Sequence, residues 1–170
     1  MTAANNLAGL INSSTGNIVI PTSNAGVSFN NSSAIGAATL NDYEVGTWTP
    51  NVGGTATYSN QVGNYVKVGS LVFAEFDITI GTIGTGSTTS LRGFPFTTSN
   101  NGTPWTGATS YYASLGTAVV YLGFYIGSLS TIANFVANNG TAVTTIGYNT
   151  FTTFANSTRI CGAIVYQATF

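Results

Sequence analysis

The sequence predicts an all-β fold. An antiparallel β-sandwich of jelly-roll type is expected over residues 41–170, with a short extended stalk or anchor over residues 1–40. Three observations lead there. Thr, Val, Ile, Tyr and Phe, which suit a pleated surface, abound, while the strong helix formers Glu, Lys, Arg and Gln are scarce. Ten Phe, nine Tyr and two Trp within a 44% apolar composition supply a real core, unlike the aromatic-poor sequences of disordered chains. Short apolar runs also alternate with Gly-, Asn- and Thr-rich turns at a spacing typical of sandwiches and jelly rolls.

The first forty residues are poor in aromatics and rich in Asn, Ser and Ala. Leu7, Leu10 and Ile11 stand at i, i+3 and i+4, so Thr2 to Asn12 is expected to form one short amphipathic helix. So short a helix is marginal alone in water. Two brief extended segments follow, Asn17–Ile20 and Gly26–Phe29, broken by Pro21 and Gly26. A segment of this size and composition builds no core of its own. Leu7, Leu10, Ile11, Ile18, Ile20 and Phe29 are therefore the candidate oligomer or anchor contacts, in a stalk intertwined with other subunits or docked on a larger assembly.

Beyond residue 40 the chain reads as strands. Thr55–Tyr58 and Asn64–Val68 flank a short connection containing Gly63. Leu71–Ile80 is the clearest strand, with Val72, Ala74, Phe76, Ile78 and Ile80 on one face. After the Gly81–Ser87 turn region come Thr88–Arg92 and the corner Gly93-Phe94-Pro95-Phe96. Ser99–Thr109 is expected to be a loop that carries Trp105. Tyr111–Leu115, Ala118–Ile126, Thr131–Ala137 and Val143–Gly147 complete the middle, with Asn139-Gly140 as a type I′ hairpin signal. Arg159–Thr169 closes the chain, Ile160, Gly162, Ile164 and Tyr166 alternating against Cys161, Ala163 and Val165.

Charge excludes several functions. Three Lys or Arg, four Asp or Glu and no His leave a net charge of −1. Binding a nucleic-acid backbone needs several cations on one face, so nucleic acid is not an expected partner. No apolar run approaches the roughly 18–20 residues of a membrane span, and the N-terminus lacks a basic signal region, so no membrane insertion is expected. Without His no conventional Ser–His–Asp triad forms. The lone Cys161 makes no disulfide within the chain and reads as a small buried strand residue.

Two blocks carry a resemblance. Leu40-Asn41-Asp42-Tyr43-Glu44-Val45-Gly46-Thr47-Trp48-Thr49-Pro50 resembles the LxDYEEGTWTP signature of bacteriophage tail-fibre and tailspike-like proteins. Tyr58, Gln61, Gly63, Tyr65, Lys67, Val68 and Gly69 resemble the YxxQxGxYxKIG block of the same family, and Gly93-Phe94-Pro95-Phe96 stands in place of its LPF. Upstream, Gly16–Ile20 and Gly26–Phe29 are similar to the GNxVI and GIxF pieces that precede this domain in fibres. Val45 replaces the usual second Glu, and Phe94 the usual Leu. The chain also lacks the long shaft that such fibres often carry. The resemblance implies a compact homotrimeric fibre or fibre tip of the virion tail, assembled in the host cytoplasm. It further implies attachment to baseplate or tail proteins through the N-terminal segment, and no cofactor.

The first block also has a physical reading. Asp42 and Glu44 share one side of an extended segment, where Lys67 or Arg159 is expected to neutralise them. Tyr43 lies between them, Trp48 is expected to act as a buried plug, and Gly46 to permit a tight bend. Asp42/Glu44 and Glu75/Asp77 also have a spacing compatible with a glycosidase carboxylate pair, but both read better as structural. Neither pair has the further ligands a metal site needs, so no metal is expected. Trp105, Tyr111 and Tyr112 are the candidate receptor contacts, because aromatics beside neutral amides suit sugar faces and hydroxyls. The expected function is non-enzymatic adhesion to a host polysaccharide or lipopolysaccharide, strengthened by several copies. The alternatives are a structural virion part, such as a baseplate spacer or capsid decoration, and a polysaccharide depolymerase.

Overall fold

The computed structural model describes residues 27–28, 39–40, 43–140 and 153–169. The chain divides into two units, residues 1–43 and residues 44–170. The expected helix over Thr2–Asn12, the positions Leu7, Leu10, Ile11, Ile18, Ile20 and Phe29, the segment Val143–Gly147 and Asp42 lie outside the described residues.

Among the described residues ten strands are formed and no helix occurs. In the first unit β1 (Val27–Ser28) pairs antiparallel with β2 (Thr39–Leu40). The second unit is built from β3 (Tyr43–Trp48), β4 (Thr57–Val68), β5 (Leu71–Thr82), β6 (Ser90–Arg92), β7 (Trp105–Ala113), β8 (Tyr121–Ile126), β9 (Ile132–Asn138) and β10 (Arg159–Gln167). These form one antiparallel sheet in the order β3-β4-β5-β10-β7-β8-β9-β6. The sequence reading expects two stacked sheets. The described residues of the second unit form one eight-stranded antiparallel sheet curled into a half-barrel, whose inner face holds the core.

Its edges approach one another. Asn51, just past β3, exchanges two backbone hydrogen bonds with Arg92 of β6, at 3.1 and 2.7 Å. Phe94, just past β6, lies with its ring centroid 4.5 Å from that of Trp48 in β3. Ring contacts then cross the inner face, from Phe94 to Phe76, from Phe76 to Phe124 at 5.6 Å, on to Phe135 at 5.1 Å and to Phe154 at 4.9 Å. Such pairs contribute roughly 0.5–1.5 kcal/mol each beyond the area they bury.

The longest hairpin sets the frame. Val68 pairs with Leu71 across Gly69-Ser70, and Gly69 has φ +57 at the first turn position, where a type II′ turn places glycine. Strand β5 buries Val72, Ala74, Phe76, Ile78 and Ile80 as its alternation predicts. Gly63 is not in a connection: β4 runs unbroken from Thr57 to Val68, with its pairing to β5 irregular at Tyr58. At Asn139-Gly140 only Gly140 has positive φ, and Asn138 Oδ1 accepts the Gly140 N–H, so the turn there is not type I′.

Candidate functional site

Strand β3 and the face of β4 beside it lock together through the two sequence blocks. Trp48 is 8% exposed and its indole N–H donates to the carbonyls of Glu75 (3.1 Å) and Asn64 (3.3 Å). The ring lies over Gly63, where an added Cβ would stand 2.6 Å from the indole. Gly46 answers in the opposite sense: a Cβ there would stand 2.6 Å from the hydroxyl oxygen of Tyr65 and 2.7 Å from its Cζ. The glycine expected to bend the chain thus lies within a strand and makes room for a ring.

The rest of the second block faces the same way. Gln61 donates to the Pro50 carbonyl (2.8 Å), and the Tyr58 hydroxyl accepts from Val52 N (2.8 Å). The irregular pairing at Tyr58 accounts for the three-residue step from Tyr58 to Gln61 before alternation resumes. Lys67 is 9% exposed, with its ammonium 5.3 Å from the centroid of Phe96. The Tyr65 hydroxyl donates to the Glu44 carboxylate, which holds the phenol above its ordinary pKa. Glu44 is thus engaged by Tyr65, and Arg159 pairs elsewhere. Tyr43 is exposed.

The outer, convex face carries the remaining chemistry. Across β4, β5, β10 and β7 the register aligns Asn64, Glu75, Ala163 and Ala108 in one row, and Val62, Asp77, Cys161 and Tyr111 in the next. Arg159 grips Asp77 with two hydrogen bonds, Nε to Oδ1 at 3.1 Å and Nη2 to Oδ2 at 2.8 Å. The pair raises the Arg159 pKa, and chiefly through those bonds keeps the Asp77 carboxyl below its usual range. The same guanidinium lies 5.4 Å from the centroid of Tyr111. Glu75 accepts from the Asn64 amide at 3.2 Å. Cys161 is only half-buried on this face, outside the core, and desolvation followed by its contact with Asp77 pushes its thiol pKa up.

The depressions on this face formed by described residues include three shallow ones. One of about 420 Å³ is lined by residues that include Val62, Asn64, Glu75, Asp77, Ser110, Cys161 and Ala163. A second, about 310 Å³, lies between β3, β4 and β5 around Val45, Tyr65 and Phe73. The third, about 250 Å³, lies around Phe73, Ala108 and Val165. Toward the Leu71 end of the strands the face is apolar, with Leu71, Phe73 and Val165 all exposed.

The sequence-predicted aromatics are not brought together as one loop cluster. Trp105 opens β7 opposite Ile126 instead of standing in a loop, is half-buried against the core, and its indole N–H has no hydrogen-bond partner among the described residues. Tyr111 is 51% exposed on the convex face, while Tyr112 turns to the other side next to Ile160. A β-bulge causes this: Cys161 faces Tyr111 but Gly162 faces Thr109, so Ser110 is the extra residue. No sequence signal marks Ser110 or the hollow beside it. The alternation of Cys161, Ala163 and Val165 is visible in the sequence, but that it faces outward is not, since Cys161 reads there as buried.

Chemically, Glu75 and Asp77 project from one face about 7 Å apart along the strand, within the span of a glycosidase pair. Asp77 is held ionised by Arg159 and so supplies no proton at neutral pH. Among the described residues no three His, Cys, Asp or Glu side chains gather where a metal ion could be held. No helix there is long and apolar enough to cross a membrane. No family model, curated protein or solved structure matches this chain.

Proposed function

We propose that this protein is a bacteriophage tail-fibre tip that adheres, without enzymatic action, to a host surface polysaccharide or lipopolysaccharide. In this reading residues 41–170 form the sandwich-like tip, the limbs of the curled sheet serving as its two layers. Residues 1–40 form the stalk that joins three copies and attaches them to baseplate or tail proteins.

The observation that carries the reading is the mutual fit of the two sequence blocks. Tyr58, Gln61, Gly63 and Tyr65 of the second block each meet the first block or its exit, at Val52, Pro50, Trp48 and Gly46 respectively. The residues that carry the fibre resemblance therefore form one structural clasp. The exposed apolar stretch of Leu71, Phe73 and Val165 favours a second reading, a structural virion part seated on a protein neighbour.

A fluorescent fusion applied to a panel of bacterial strains, before and after periodate stripping of surface sugars, tests the first reading. Labelling lost after periodate is the expected result. No labelling of any strain by a folded trimer overturns adhesion and leaves the structural part. Sedimentation as a monomer at micromolar concentration overturns the trimer.

A further inference from the structure

We infer that the central hollow of the convex face binds a neutral hexopyranose unit of a polysaccharide. The inference rests on the adhesion reading and deepens it, moving the sugar contacts from loop tips to the middle of the sheet.

Shape comes first. Ala108 and Ala163 are cross-strand partners and Gly162 is next in the chain, so small residues from β7 and β10 leave a floor without large side chains. Val62 and Asn64 bound the hollow on one side and Ser110 on the other. Its volume of about 420 Å³ lies within the roughly 300–1,000 Å³ typical of small-ligand sites. The bulge builds the far rim, because the extra residue leaves Ser110 and Tyr111 both exposed in succession.

Electrostatics then selects the ligand. Among the described residues no Lys or Arg lines this hollow, and the nearby Arg159 has its Nε and Nη2 donors engaged by Asp77. A phosphate, sulfate or carboxylate would find no uncommitted counter-charge and would meet Glu75. A polyhydroxylated neutral ring meets what it needs. The Glu75 and Asp77 carboxylates accept from hydroxyls, the Asn64 amide and Ser110 hydroxyl donate or accept, and the methyls of Ala108 and Ala163 receive the C–H face of the ring. The exposed Tyr111 ring flanks the site and extends the surface for the next sugar.

The test is binding of the fluorescent fusion to an array of immobilised glucan, mannan and galactan oligosaccharides. Wild type is compared with Ala108→Trp, which fills the floor from an exposed position, and with Ser110→Trp, which fills it from the rim should the first variant not fold. Thermal melting and sedimentation are run on each. Wild-type binding that falls more than about tenfold in a folded variant with unchanged assembly is the expected result. Undiminished binding by both variants overturns the site and leaves adhesion standing. A variant that loses assembly gives the hollow to a second copy of the chain and likewise overturns the site. Wild type that binds nothing on the array, yet labels cells in a periodate-sensitive way, overturns the site and its ligand class. Failure on both array and cells overturns the adhesion reading as well.

Discussion

The two faces of β5 differ more than their compositions suggest. Inward, Val72, Ala74, Phe76, Ile78 and Ile80 are 0–4% exposed, and Phe76 touches the rings of Trp48, Phe94 and Phe124. Outward, Leu71 and Phe73 are 51% and 42% exposed, although each is as apolar as the residues beside it. Hydrophobicity alone therefore does not decide burial in this strand. What decides it is which face the curled sheet closes over, and the convex side leaves its apolar groups exposed.

The comparison breaks most sharply at the paired phenylalanines. Phe76→Ala should lower the free energy of unfolding by about 3–5 kcal/mol, while Phe73→Ala should change it by about 0.5 kcal/mol or less. Chemical denaturation of both variants checks this. Similar losses would mean that the convex face is buried in the assembled protein.

Gly63→Ala probes the clasp from the inner side. The new methyl would meet the indole of Trp48, a rigid ring already fixed by its two hydrogen bonds, and should cost about 1–3 kcal/mol. Gly69→Ala is the contrasting change. Nothing lies within 4 Å of a Cβ there, so its cost, also read by denaturation, reflects only the strained φ of +57.

The smallest effects concern pH and again separate the faces. On the inner side burial pushes the Tyr166 phenol up to about 12, against which its hydrogen bond from Phe96 N acts weakly. A raised phenol pKa gives stability that is complete below about pH 10 and is lost as pH rises through the folded value. Melting temperature should therefore fall between about pH 10 and 12, and Tyr166→Phe should flatten that fall. On the outer side Asp77 is depressed, so its contribution is present above about pH 4 and is lost as pH falls through the lower folded value. Solvent screens this pair, and Asp77→Asn should shift the acid midpoint only slightly.

Much of the fold was legible because alternation is local. The period of two in Leu71–Ile80 and in Ile160–Tyr166 reads directly as two faces, and β5 buries the expected set, whereas in Ile160–Tyr166 Cys161, expected buried, lies on the outer face. Breakers were less informative. Gly63 looks like a turn and Trp105 like a loop residue, since glycine and a Gly/Asn-rich neighbourhood usually mark connections. Gly63 is instead a glycine beneath an indole, and Trp105 the first residue of a strand. The candidate site was less legible still. Asp77 and Arg159 are both visible in the chain, but they are 82 positions apart, and their pairing follows from a register no local pattern encodes.

By itself the sequence determined the β class, the alternation of β5 and the presence of the two blocks, because each depends on side chains a few positions apart. The contacts that tie the blocks to one another and to β5 join residues 11 to 27 positions apart. Only the tertiary structure decided that eight strands form one curled sheet, that Asn51 reaches Arg92, and that Ser110 bulges beside a hollow floored by Ala108 and Ala163. Those features arise from hydrogen bonding between strands distant in sequence. The shift of one residue that turns a side chain to the other face is fixed there by the whole sheet.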